Sequence, residues 1–287
     1  MAELQITPPL RAQLQAWLAE DMGRGDLSAP ALADRQGRAH WLAKAPGVFC
    51  GGVLLEPLLQ LLDPAARVSL RVAEGERVQP GQRLLELEGR AAALVAVERT
   101  ALNLAMRLSG VATATAALVQ QLEGTAVRLA DTRKTTPGLR QLEKYAVRCG
   151  GGINHRLGLD DAAMLKENHL AWGGGVAAAV AAVRAQAPWP ARVIVEAETA
   201  AEALAAVAAG ADGVLLDEFS PEALQVLVPQ LRAAAAARPA GGAVVLEASG
   251  VQPAQLRAYA ATGIDLISTS APVTRSPWLD LSMRFEP

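Results

Sequence analysis

The chain has 287 residues, 51% hydrophobic and 20% charged, with a formal net charge of −2. That composition excludes a disordered chain and suits one large domain, or a large domain with a smaller partner. A near-neutral balance gives no bulk attraction for nucleic acid or a membrane surface, so anion binding must come from local clusters.

Cys50 and Cys149 are the two cysteines, far apart and without ligand-like spacing to His40, His155 and His169. This argues against a disulfide framework or a zinc site and suits a reducing cytoplasm. Residues 1–20 lack a basic region followed by a long apolar run, so no signal peptide is expected. No window reaches the ~20 apolar residues of a spanning helix.

In chain order, "HWLAKAPGVFCGG" and "RVSLRVAEGERVQPGQRLLELEG" predict strands and turns, the second with alternation around Gly75 and Pro80-Gly81. A helix is expected from about Val97 to Leu122, loosened near Ser109-Gly110. Six short apolar runs then follow, each ending in a polar tip: 126–134, 162–169, 192–199, 212–220, 243–250 and 264–271. Each reads as a strand buried on both faces.

The helices between them have legible ends. Thr136-Pro137 predicts the start of a helix running to Cys149, Ser220-Pro221 the start of another, and Gly150, Gly210 and Gly263 sit at helix ends. The alanine-rich stretch 232–242 reads as a helix end and its loop. Strands alternating with helices imply parallel βα units closing into a barrel, whereas a doubly wound sheet lacks its Gly-x-Gly-x-x-Gly signature. The expected organisation is an N-terminal α/β domain over 1–110, a barrel over 111–271, and a tail, 272–287, with a return of that tail to the first domain as one option.

In such barrels the loops after the strands carry the chemistry. The tips hold Arg133 and Lys134, Lys166, Glu196, Asp217, Ser249-Gly250, and Ser268 with Ser270. The stretch from Asp131 to Arg156 alone holds six Arg or Lys against two acids in 26 residues. Arginine forks grip carboxylates or phosphates, lysines act as point charges, and two carboxylates suit Mg²⁺ carried with substrate phosphates or a cationic transition state. Arg140, Lys144 and Arg148 form a stripe read as a solvated helix face, and Gly150 to Gly152 let the chain turn so that Asn154-His155-Arg156 could join Arg133-Lys134. The last two tips bring backbone N–H groups to a phosphate.

"ERTALNLAMRLSGVAT" (98–113), "DTRKTTPGLRQLEKYAVRCGGGINHRLGL" (131–159) and "LKENHL" (165–170), with "EDMGRGDLS" and the later strand motifs in order, resemble the quinolinate phosphoribosyltransferase family over essentially the whole chain. The resemblance implies an N-terminal α/β sandwich domain, an incomplete α/β barrel, and a head-to-tail homodimer with sites shared across its interface. It implies phosphoribosyl transfer from phosphoribosyl pyrophosphate to quinolinate, with decarboxylation to nicotinate mononucleotide in NAD biosynthesis. Arg99 would enter from the partner subunit, while Arg133, His155, Arg156 and Lys166 would hold quinolinate. Lys134, Glu196 and Asp217 would serve phosphoribosyl pyrophosphate and Mg²⁺, with Lys134, Lys166, Glu196 and Asp217 catalytic. Ser249, Gly250, Ser268 and Ser270 would cradle the 5′-phosphate.

The chain departs from that family's pattern at Glu218, where Asn is usual, at Val251 and Ser270, where Gly is, and at Arg275, near a usual histidine. Two alternatives stay open: a molybdenum-transport-associated homologue acting on another base, and a barrel lyase forming a Schiff base on Lys166.

Overall fold

The computed structural model describes residues 3–32, 35–238 and 242–286. It divides into two compact units, one of Met1–Ala116, Gln141–Gly151 and Ala271–Pro287, the other of Ala117–Arg140 and Gly152–Ser270.

In the first unit α1 (Pro8–Met22) starts at Thr7, whose hydroxyl caps the Leu10 amide, and buries Leu10, Leu14 and Leu18. Strands β1 (Gln36–Ala43) and β2 (Gly47–Val48) precede the short α2 (Leu55–Leu59). Then come β3 (Arg67–Leu70), β4 (Arg77–Val78), β5 (Arg83–Arg90) and the long α3 (Ala91–Gln121). On β1, Ala39, Trp41 and Ala43 point inward at alternate positions, the period of a half-buried strand. The chain's last strand (Leu281–Glu286), numbered β12 below, pairs antiparallel with β1, giving the order β12-β1-β5-β3.

α3 corrects the sequence reading twice. It runs unbroken from Ala91 to Gln121, where loosening was expected at Ser109-Gly110. Those two residues are small for packing: a Cβ on Gly110 would lie 2.1 Å from the Pro277 carbonyl oxygen. The buried Ser109 hydroxyl accepts from the Cys50 amide at 2.9 Å and donates to the Cys50 carbonyl at 3.0 Å. α3 is also long and apolar enough to cross a membrane by length and composition, although no such window was read from the sequence. Here Leu94, Val97, Leu102, Ala105, Leu108 and Val111 are buried in the protein.

α4 (Arg140–Cys149) also departs from the sequence reading. Thr136-Pro137 does not start it, because Gly138 turns the chain at φ +82° and a turn occupies 137–139. Gln141–Gly151 groups with the first unit, although the sequence placed it in the barrel. Nor is its basic stripe solvated as a whole: Lys144 is buried beside Glu143, which pairs with Arg107 Nη2 at 2.6 Å. Only the stripe's ends, Arg140 and Arg148, are exposed.

The second unit contains β6 (Arg128–Ala130), β7 (Ala163–Leu165), β8 (Val193–Ala197), β9 (Gly213–Asp217), β10 (Val245–Ser249) and β11 (Leu266–Ser268). They form one parallel sheet, β6-β11-β10-β9-β8-β7, and Ile153 bridges to Ala130 beyond β6. All six strands fall within the six predicted runs. This is an incomplete α/β barrel. Helices α5 (Glu167–Trp172), α6 (Val176–Gln186), α7 (Ala200–Ala208), α8 (Pro221–Ala236) and α9 (Leu256–Ala260) connect the strands, and α10 (Ala271–Thr274) returns the chain to the first unit's residues. The Ser220 hydroxyl caps α8 at the Ala223 amide with Pro221 behind it, and Gly210 and Gly263 take positive φ past α7 and α9. Residues 239–241, within the expected helix-end loop, lie outside the described residues.

Parity separates the two faces of each strand. Val193, Val195, Ala197, Val214, Leu216, Leu246, Ala248 and Ile267 pack into one core with helix residues such as Ala203, Leu224 and Leu231. The alternate residues form the opposite, inner face, and they are not uniformly apolar. Register aligns Glu196 with Leu215, Leu215 with Glu247, and Glu247 with Leu266 in one layer, and Asp217 with Ser249 in the next.

Candidate active site

The inner face opens into a cavity of about 290 Å³. Its lining brings together Arg133, Lys134, His155, Arg156, Lys166, Glu196, Ser249 and Ser268 from the sequence-predicted set. Asp217 sits half-buried at the end of β9, two residues beyond Leu215 and so on the same face. Gly250 is exposed at φ +75°, and Ser270 is half-buried just after β11. Arg99 belongs to the first unit, exposed on α3.

Each acid of the cavity has a cationic or polar partner. Lys166, at the end of β7, pairs with Glu196 on β8. Asp131, buried where β6 ends, accepts from Asn154 Nδ2 at 2.7 Å and the His155 amide at 2.8 Å. Those bonds, with the Ile153 bridge, fix the segment after the glycines beside Arg133 and Lys134. Gly151 takes φ +87°, so the sharp turn expected from the glycines forms there.

His155 is held at both ring nitrogens. Nδ1 accepts from the Arg156 amide at 2.7 Å, which places the ring proton on Nε2, 3.1 Å from Glu247 Oε2. The sequence reading missed Glu247, because the run "AVVLEASG" drew attention to its tip. The signal was present: an acid at the inner parity of an otherwise apolar strand. A second cavity, about 380 Å³, lies toward the opposite strand ends and shares His155, Arg156 and Glu247 with the first.

With these acids so engaged, the arginines keep donors and charge to offer a ligand. Arg133 Nη1 is buried with no hydrogen-bond partner. Burial, and then the neighbouring charge of Arg133, pull the Arg156 guanidinium below its ordinary pKa, against the opposing pull of Asp161. Two guanidiniums that repel one another beside an unfilled donor form a site prepared for a multiply charged anion. Glu196 and Asp217 offer hard oxygen donors on the same face, a donor set that fits Mg²⁺ held largely through substrate oxygens and water rather than by an all-protein cage.

Comparison with known proteins agrees with this chemistry. The family model for "Quinolinate phosphoribosyl transferase, N-terminal domain" matches residues 26–109, and that for the C-terminal domain matches 111–284. A relative from Synechocystis sp. (strain ATCC 27184 / PCC 6803 / Kazusa) is 44% identical over 273 residues, 94% of this chain and 90% of its own. The nicotinate-nucleotide pyrophosphorylase [carboxylating] of Homo sapiens is 37% identical over 284 residues, 97% of this chain and 93% of its own. The crystal structure of NadC from Streptococcus pyogenes superposes with a TM-score of 0.90 at 36% identity, covering 98% of each chain. This chain belongs to the quinolinate phosphoribosyl transferase family.

Proposed function

We propose that the chain transfers the phosphoribosyl group of phosphoribosyl pyrophosphate to quinolinate and releases CO₂, forming nicotinate mononucleotide and pyrophosphate in NAD biosynthesis. The observation that carries this reading is the convergence of Arg133, Lys134 and Arg156 on one cavity whose acids already have partners. Arg133 and Arg156 bind the two carboxylates of the pyridine, and Arg133 Nη1 supplies a donor with no protein partner to give up.

His155 supports this grip from behind. Both its ring nitrogens are engaged, so it fixes the backbone that carries Arg156 rather than contacting the substrate directly. Lys166 is different, since its ammonium is shared with Glu196. A substrate carboxylate competes for that ammonium and leaves Glu196 to face the ribose. Glu196 and Asp217 then oppose the positive charge that develops at C1 as pyrophosphate departs. Lys134 is exposed, with its amide turned to the Thr132 hydroxyl at 3.0 Å, and meets the pyrophosphate.

The pyridine nitrogen attacks C1, and its new positive charge accepts the electron pair left when the adjacent carboxylate departs as CO₂. Ser249, Gly250, Ser268 and Ser270 surround the 5′-phosphate. Glu196 and Asp217 would hold Mg²⁺ together with substrate oxygens and water, and the ion, when bound, would supply positive charge to the pyrophosphate leaving group. The enzyme acts as a cytoplasmic homodimer, a reading supported by two free cysteines and by the exposed Arg99, which completes the partner's site.

Release of labelled CO₂ from carboxyl-labelled quinolinate, dependent on phosphoribosyl pyrophosphate and absent with nicotinate as acceptor, tests the reaction. Mixing inactive Arg99→Ala and Arg133→Ala proteins tests the shared site: hybrid dimers recover activity if Arg99 acts across the interface, and stay inactive otherwise.

A further inference from the structure

The first unit holds a second chemical cluster that the transferase reaction does not use. Cys50 follows β2, Cys149 ends α4, and Glu74 lies in the turn before β4, with their ligand atoms all within 4.8 Å of one another. The turn is pressed against the helix end: a Cβ on Gly75, which takes φ +85°, would lie 2.9 Å from the Cys149 carbonyl oxygen. Cys50 is wholly buried, while Cys149 is half-buried. We infer that Cys50 and Cys149 form a redox-active dithiol, in which a peroxide oxidises Cys149 and Cys50 closes an intramolecular disulfide.

The surroundings divide the labour between the two sulfurs. The hydrogen bond from Cys50, more than any other contact, holds the Cys149 thiol below its ordinary pKa, aided by Tyr145 and Arg148 against burial and Glu74. Burial pushes the Cys50 thiol well up, so Cys50 is the protonated donor of that bond. A half-buried cysteine with a lowered thiol pKa beside a wholly buried one is the arrangement of an attacking cysteine and its resolving partner.

Glu74 is fixed as an acceptor within reach of both. Its Oε2 accepts from the Gly51 amide at 2.7 Å and the Tyr145 hydroxyl at 3.0 Å, and its Oε1 from the Val53 amide at 3.2 Å. Burial, and then the charge of Glu74, pushes the Tyr145 hydroxyl well up and keeps it protonated and donating.

The chemistry balances with hydrogen peroxide as the named oxidant. The Cys149 thiolate attacks one peroxide oxygen and the O–O bond breaks, leaving Cys149 as a sulfenic acid while the departing hydroxide takes a proton and leaves as water. Glu74 draws the proton from Cys50, whose sulfur attacks the Cys149 sulfur. The S–O bond breaks and the second water leaves with that proton. Two thiols have lost two electrons, and one peroxide has become two waters.

The test uses the reduced full-length chain, whose only cysteines are these two, exposed to a modest excess of hydrogen peroxide. Peptide mapping without reductant should show the Cys50 and Cys149 peptides joined with a loss of about 2 Da, reversed by dithiothreitol. Titratable thiols should fall from two per chain to none. In Cys50→Ser the sulfenic acid should persist on Cys149 and be trapped by dimedone, and Glu74→Gln should slow closure. Survival of both thiols, over-oxidation of Cys149 with Cys50 still reduced, a disulfide between two chains, or protection of both thiols by tightly held zinc would each overturn the proposal. None of these readouts depends on transferase activity.

Discussion

His155 Nε2 stands 3.1 Å from Glu247 Oε2, with the two side chains only 10% and 4% exposed. The pair spans the inner face of the barrel from the segment after Gly152 to the middle of β10, and both cavities border it. Glu247→Ala leaves the buried imidazole N–H without its acceptor, which costs about 1–3 kcal/mol. Glu247→Gln retains an acceptor oxygen and should lose far less. Urea unfolding of both variants decides the matter, and equal losses would show that the hydrogen bond is not the stabilising element.

Arg133 and Lys166 separate activity from stability. Arg133→Ala removes a guanidinium whose Nη1 has no partner in the protein, so unfolding free energy should change little. Turnover should still collapse by at least about 100-fold in kcat/KM, the scale of one lost charge-assisted contact to a reacting anion. Lys166→Ala should be as inactive but also less stable, because it leaves the nearly buried Glu196 without its ammonium. Near-normal turnover in either variant contradicts the assignment.

The six barrel strands were legible because each is a short apolar run between turn residues, and their tips gave most of the cavity's cations. Three features were not. Glu247 lay hidden inside a run read as uniformly buried, since one-dimensional hydrophobicity does not say which strand face looks into a barrel. Gln141–Gly151 joins the first unit through long-range contacts, among them the pair of Arg107 with the buried Glu143, residues 36 positions apart. The third was α3, where Ser109-Gly110 reads locally as a weak point. What sets those residues is a neighbour more than 160 positions away, the Pro277 carbonyl.

Gly110→Ala therefore tests opposing rules. Helix propensity alone predicts a gain of about 0.8–1 kcal/mol. The new methyl group, however, would sit 2.1 Å from a backbone oxygen that cannot rotate away. A net loss is expected, with a lower midpoint in thermal or urea unfolding. A gain would mean that the segment around Pro277 yields readily.

Glu218 offers the last prediction, and it rests on backbone geometry and on the charge of its side chain. Among the described residues it is the one non-glycine at positive φ, +56°, immediately after β9. The left-handed region costs an L-residue roughly 1–2 kcal/mol, and Asn tolerates it better because its short amide bonds locally. Glu218 also crowds the Ser249-Gly250 loop proposed to cradle the 5′-phosphate: a Cβ built on Gly250 would lie 3.1 Å from its Cγ. Glu218→Asn should raise the unfolding free energy by about 0.5–1 kcal/mol and lower the KM for phosphoribosyl pyrophosphate by removing an acid from beside the loop. Glu218→Ala separates the two causes, because it discards the charge but keeps the Cβ that the left-handed backbone resists. Ala should reproduce the change in KM without the gain in stability. If Ala stabilises as much as Asn, charge rather than backbone conformation is the cost that Glu218 imposes.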